Sequence, residues 1–176
     1  MTPSTEWRNL IVDMIPTLRA FAWSLCRNGS DADDLVQETL VKAWAARDRF
    51  EPGSNLRAWL FTILRNTYYT HATRGRREVS DTDGHYAATL HAAPSQDWSL
   101  AMSTLREALD RLPPDYREAL VLVGAAGLSY EEAAEICGCA LGTVKSRVNR
   151  ARARLLREMD ASAPADLLNE SAAEAR

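Results

Sequence analysis

Between Glu78 and Asp97 the chain reads EVSDTDGHYAATLHAAPSQD. This stretch carries no helical stripe and is punctuated by Gly, Pro and small polar residues. On both sides apolar residues recur at helical spacing. No sustained alternation marks a strand, and no tight Asn-Gly or Asp-Gly turn joins β-branched runs. A chain of 176 residues interrupted in this way is constrained to be all-α, with two small helical domains joined by a flexible linker. The expected bounds are 1–77 for the first domain, 78–97 for the linker, 98–160 for the second domain and 161–176 for a frayed tail.

Within the first domain a helix is expected from about Thr5 to Cys26, with Leu10, Met14, Leu18, Phe21 and Leu25 inward and Pro16 kinking or dividing it. Asn28-Gly29 should end it, and Ser30 with Asp33 resembles a capping box for the next helix. That second helix, about Asp31 to Arg47, would bury Leu35, Leu40, Ala43 and Trp44. A turn at Glu51-Pro52-Gly53-Ser54 leads to a third, about Asn55 to Arg74, rich in aromatic and basic residues. In the second domain, helices are expected at about Trp98 to Leu112 and Asp115 to Ala126, separated by Pro113-Pro114. Gly127 ends the second of these. Ser129 with Glu132 then caps a short helix that Gly138 stops, and a final helix starts at Gly142 or Thr143.

A short helix, a tight turn and a second helix make a helix-turn-helix. In the final helix Val144, Val148, Ala151 and Leu155 recur at four, three and four, and so point inward. Thr143, Lys145, Ser146, Arg147, Asn149, Arg150 and Arg152 are left outside or at the flanks. Arg and Asn can pair bidentately with base edges in the major groove, and Lys, Ser and Thr suit phosphates. A solvated amphipathic helix is the bland alternative, but such helices intersperse Glu for i, i+4 pairing. From Ile136 to Arg157 there are five Arg, one Lys and no acid.

A second acid-free run, Leu56 to Arg77, holds five Arg. It interleaves Trp59, Phe61, Tyr68 and Tyr69 with them. Trp59 and Phe61 fit a core, yet cations and aromatics together are what single-stranded nucleic acid needs. The net charge is nevertheless −3, so bulk charge does not bind the chain to DNA everywhere. Two local basic faces on an acidic protein suggest a DNA binder restrained from binding alone.

Other classes are excluded or disfavoured. Met1 to Trp7 does not look like a signal peptide, and no apolar run spans a bilayer. Three cysteines fit a reducing compartment, and the expected location is cytoplasmic. Cys137 and Cys139 form a C-x-C without a second pair at ligand spacing, so small buried or half-buried thiols are expected and no metal or cofactor. P-loop, H-E-x-x-H and G-x-S-x-G motifs are absent, which argues against an enzyme.

LSYEEAAEICGCALGTVKSRVNRARARL (Leu128 to Leu155) resembles the promoter −35-reading region of bacterial sigma factors. Alone it would also suit a response-regulator output domain; the first domain decides. DADDLVQETLVKAW (Asp31 to Trp44) looks like the sigma segment that docks on the β′ coiled-coil of RNA polymerase. NLRAWLFTILRNTYYTHATRGRR (Asn55 to Arg77) looks like the segment that melts and reads the −10 element. With no middle domain, the chain resembles extracytoplasmic-function sigma factors, most of all the EcfG type of the alphaproteobacterial general stress response.

The resemblance implies partners and site residues. The partners are core RNA polymerase (β′ coiled-coil and β flap), promoter DNA and a small soluble anti-sigma factor, with no membrane attachment. Thr143, Lys145, Ser146, Arg147, Asn149 and Arg150 would bind the −35 element. Phe50, Ser54, Asn66, Arg74, Arg76 and Arg77 would bind the −10 element, with the Phe50 to Ser54 loop and Asn66 forming a pocket for a flipped base. Asp34, Gln37 and Glu38 would meet polymerase. Val123 stands where an Arg is frequent in relatives, which implies one fewer contact near the −35 site. An autonomous dimeric operator-binding regulator would leave the aromatic–basic first domain unexplained, and a sigma mimic would need a receiver domain for which this chain has no room.

Overall fold

The structure is a computed structural model that describes residues 3–51, 53–79 and 98–162. Among these, seven α-helices follow in order: α1 (Pro3–Cys26), α2 (Gly29–Ala45), α3 (Leu56–Val79), α4 (Trp98–Asp110), α5 (Pro114–Gly124), α6 (Tyr130–Cys137) and α7 (Leu141–Ser162). A single 3-10 turn covers Arg47–Arg49, and no strand occurs among the described residues. The expected linker and tail lie mostly outside them, but α3 runs past residue 77 and α7 past residue 160.

Helices α1, α2 and α3 form the first unit. Leu18, Phe21, Ala22, Leu35, Ala43, Leu60, Phe61 and Leu64 fill its interior, with the rings of Phe21 and Phe61 5.1 Å apart. Pro16 does not divide α1. Leu18, Phe21 and Leu25 point inward as their spacing predicts, but the buried stripe begins at Ile11, and Leu10 is 52% exposed. Asn28, not Ser30, caps α2: its side chain accepts from the Ser30 backbone N–H at 2.9 Å. The sharp reversal is taken by Arg27, with φ 59°. Trp44 also departs from expectation. Ala32, Leu35, Val36, Thr39 and Ala43 form the buried face of α2, and Trp44 is 43% exposed.

In the second unit α4, α5 and α6 surround α7. Val144, Val148 and Ala151 are fully buried, as their spacing predicts, and Leu155 is half-buried. The Ser129–Glu132 capping box is present in both directions, at 3.1 and 2.8 Å. Gly138 ends α6 at φ 63°, the left-handed conformation that glycine adopts without cost. Gly127 (φ 66°) makes the turn after α5, where an added Cβ would lie 3.1 Å from Arg57 Nη1.

That last contact crosses between the two units. Helix α1 packs on α5 and α3 on α6, so the buried apolar side chains of both units form one continuous cluster. The expected two domains are therefore two packed bodies sharing a face, not separate beads.

Candidate nucleic-acid interface

The exposed side of α7 carries Lys145, Ser146, Asn149, Arg150, Arg152 and Arg154, while Thr143 and Arg147 are half-buried at its flank. Neighbouring helices organise several of these groups. Arg147 donates to the Asp115 carboxylate at 2.6 Å, and its other nitrogen lies 3.8 Å from Cys139 Sγ. Arg150 donates to the Tyr116 hydroxyl at 3.3 Å, Arg154 sits 5.4 Å from the Tyr116 ring, and Lys145 Nζ stands 6.0 Å from that of Tyr130. Three arginines and a lysine are thus braced by one carboxylate and two phenols. The Arg150 hydrogen bond holds the Tyr116 phenol below its ordinary pKa. The Ser146 hydroxyl donates to the Thr143 carbonyl at 2.9 Å.

The candidate −10 residues are not all brought together. Asn66 and Arg74 are exposed on α3 and line an open groove of about 470 Å³ with Tyr69, Thr70 and Thr73. A smaller hollow of about 270 Å³ lies between α2 and α3, shared by Lys42, Ala46, Ile63, Asn66, Thr67 and Thr70. Asn66 belongs to both, in position to present its amide to either. Ser54 precedes α3, about three turns from Asn66, and its hydroxyl donates to the Glu51 carbonyl. Phe50 is half-buried in an aromatic cluster, 5.0 Å from Trp7 and 5.3 Å from Trp59. The loop and Asn66 therefore do not close one pocket in this arrangement. The side chains of Arg76 and Arg77 lie outside the described residues.

Helix α2 presents a face that sequence analysis read only in part. Asp34, Gln37, Val41 and Trp44 are all exposed, and their spacing of three, four and three makes one stripe. Val41 is 69% exposed, and Arg47 covers Trp44 at 5.4 Å. The stripe is acidic and amide-bearing at one end and apolar at the other, the make-up of a groove partner for another helix. Glu38 is less free: it pairs with Lys42 at 2.8 Å and His71 at 2.9 Å. The Lys42 hydrogen bond, aided by His71, holds its carboxyl below the ordinary range. A second apolar pair, Leu156 (63% exposed) and Met159 (39%), marks the end of α7.

Between the units, polar groups pair one by one. Arg65 on α3 pairs with Glu118 on α5, whose side chain is 2% exposed, and Tyr69 donates to the same carboxylate at 3.1 Å. Arg65 also lies 4.6 Å over the Tyr69 ring. Burial is the largest influence on Arg65 and lowers its basicity, but the charge and hydrogen bond of Glu118, with smaller contributions from Tyr69 and Cys137, together outweigh it and hold the guanidinium above its ordinary value. Arg57 donates to the Ala126 carbonyl at 2.8 Å and Asn55 to Glu132. Arg117, 3% exposed, donates to the Ser24 carbonyl at 2.6 Å.

Among the described residues no group of three potential ligands could hold a metal ion. No helix there is long and apolar enough to cross a membrane. Cys137 is buried and Cys26 and Cys139 half-buried, all free thiols.

Comparison with known proteins accounts for both units. Residues 10–78 match Sigma-70 region 2 and residues 102–155 match Sigma-70, region 4. The chain is 60% identical to the ECF RNA polymerase sigma factor EcfG of Rhodopseudomonas palustris over 84% of its own length and 82% of that protein. It is 34% identical to the ECF sigma factor SigE of Mycolicibacterium smegmatis over 85% of this chain and 60% of that one. Among solved structures, the sigma factor RpoE in complex with the anti-sigma factor NepR, from Bartonella quintana, is 50% identical, with a TM-score of 0.80 over 88% of this chain and 97% of that one. CnrH in complex with the cytosolic domain of CnrY is 29% identical, with a TM-score of 0.66 over 91% of both chains. The chain belongs to the sigma-70 family, as an RNA polymerase sigma factor of the extracytoplasmic-function type made of regions 2 and 4.

Proposed function

We propose that this sigma factor docks on core RNA polymerase chiefly through the α2 stripe of Asp34, Gln37, Val41 and Trp44, with Glu38 at its edge. The exposed Leu156–Met159 end of α7 suits a second, apolar contact with the β flap. Lys145, Asn149 and Arg150 on α7, with Arg147 and Thr143 at the flank, read the −35 element. Asn66, Arg74 and the basic end of α3, which includes Arg76 and Arg77, handle the opened −10 strand. Phe50 and Ser54 act there only after the loop rearranges. Such a factor works in the cytoplasm.

The observation that carries this is the pairing on one chain of two acid-free basic runs, the aromatic-rich Leu56 to Arg77 on α3 and Ile136 to Arg157, which covers most of the recognition helix α7. Tethering both to one enzyme raises the effective concentration of each at its element. The 60% identity to EcfG supports a role in the general stress response. The likeness of 88% of the chain to a sigma factor solved in complex with the anti-sigma factor NepR supports control by a small soluble anti-sigma factor.

The test is in vitro transcription from a genomic promoter pool by core polymerase, with and without this protein, and with a Lys145→Ala, Arg147→Ala, Arg150→Ala variant. Discrete transcripts that require the protein and its recognition helix are expected. Tight operator binding without polymerase, and no transcripts, would establish an autonomous regulator instead.

A further inference from the structure

Arg57, Arg65 and Tyr69 recur along α3 at intervals of eight and four residues, and in the closed molecule each has a partner in the second unit. The grouping of Arg65 and Tyr69 is what a single strand requires: a guanidinium for a phosphate, and a ring beside it on which a base can stack. A carboxylate presents two anionic oxygens to Arg much as a phosphate does. Here Glu118, from a 2% exposed position, offers one oxygen to Arg65 Nε and the other to the Tyr69 hydroxyl. The groove of Asn66, Tyr69, Thr70, Thr73 and Arg74 opens directly alongside, sharing Tyr69.

We propose that Glu118 is an internal stand-in for a nucleic-acid phosphate, so that packing of the two units and capture of a single DNA strand by Arg65 and Tyr69 exclude one another. The proposal deepens the −10 function given above and rests on it. In the closed molecule a strand reaches the Asn66–Arg74 groove but not the Arg65–Tyr69 step, because the carboxylate fills it. The buried charge fits this role better than a purely structural one. A well-packed apolar pair stabilises such an interface at least as well, since desolvation offsets most of the attraction of a buried ion pair. Charges that regain water when separated instead make an interface that opens without leaving apolar surface at that spot, as expected between bodies that move apart.

The experiment uses the full chain and a fluorescein-labelled, A/T-rich single-stranded 12-mer, read by fluorescence anisotropy, with small-angle scattering for the distance between units. Glu118→Gln is expected to enlarge the radius of gyration and tighten 12-mer binding about five- to tenfold, because removing the closed state raises the fraction competent to bind. Arg65→Gln opens the molecule equally but gains nothing, and the double variant behaves like Arg65→Gln. By reciprocity, saturating 12-mer expands the unsubstituted protein. An open Glu118→Gln protein with unchanged affinity, or an equal gain in the Arg65→Gln background, overturns the proposal. Circular dichroism checks the fold. Should Glu118→Gln lose its helices, Tyr69→Phe keeps the ring and removes only the hydroxyl that meets Glu118, and is expected to gain about twofold; no gain overturns the proposal. Promoter-dependent transcription by the unsubstituted protein, measured in parallel, tests the sigma function independently of the competition.

Discussion

Tyr69 and Glu118 lie 49 residues apart in the chain and meet at 3.1 Å across the face between the units. Burial first, and the neighbouring carboxylate second, push the Tyr69 phenol up to about 12. Tyr116, which accepts a hydrogen bond from Arg150, is shifted the other way. A spectrophotometric titration should therefore show one phenol ionising near 12, lost in Tyr69→Phe and lowered in Glu118→Gln. The sign for stability follows. The folded state keeps this proton while the unfolded chain releases it near 10, so stability is unaffected below that pH and falls as pH rises from there toward 12.

Arg117→Ala should destabilise the protein by about 2–4 kcal/mol in urea titrations, because it leaves the Ser24 carbonyl buried without its donor and removes the contacts to Leu109 and Asp110. Arg117→Lys should recover only part of this, since one ammonium cannot span acceptors arranged for a fork. Full recovery by Lys would show that charge alone matters there.

Gly138→Ala should cost about 1–2 kcal/mol from the left-handed backbone alone. Nothing lies within 4 Å of the added Cβ, so no clash contributes. Gly138→Asn should cost less, since Asn tolerates that conformation. Equal losses for the two in thermal melts would point to a steric cause.

Asp115→Asn should change stability by less than about 1 kcal/mol, because its pair with Arg147 is on the surface. It should nonetheless lower discrimination among −35 sequences, because Arg147 loses the group that fixes its orientation. Binding selection with the holoenzyme measures this, and unchanged discrimination would remove Asp115 from the recognition machinery.

Native alkylation at pH 8 should label half-buried Cys139 first and spare Cys137. Burial, with the Glu118 charge adding to it, pushes the Cys137 thiol up to about 12. Burial and Asp31 push that of Cys26 to about 11. Thiolate is the reactive form, so both should react only when the helices open. Rapid labelling of Cys137 in the folded protein would contradict the packing around α6.

Much of this molecule was legible in its sequence because the signals are local. The three-four spacing of Val144, Val148 and Ala151 orients α7. Ser129 and Glu132 satisfy the orphan N–H groups of α6, and Gly138 supplies a backbone conformation that Cβ disfavours. The acid-free runs mark the two basic helices, α3 and α7. Other features depend on which neighbour each side chain meets. Leu10 and Trp44 are as apolar as their buried neighbours, and only the packing of α1, α2 and α3 places them outside. Phe50 sits against Trp7 and Trp59 because a loop and two helices converge there. The pairs Arg65–Glu118 and Arg117–Ser24 join residues 53 and 93 positions apart. No periodicity or cap encodes such a pairing, because it arises when two separately readable units bury one another's faces. Local backbone chemistry determined the helices, and the desolvation and matching of distant charges decided how the two bodies meet.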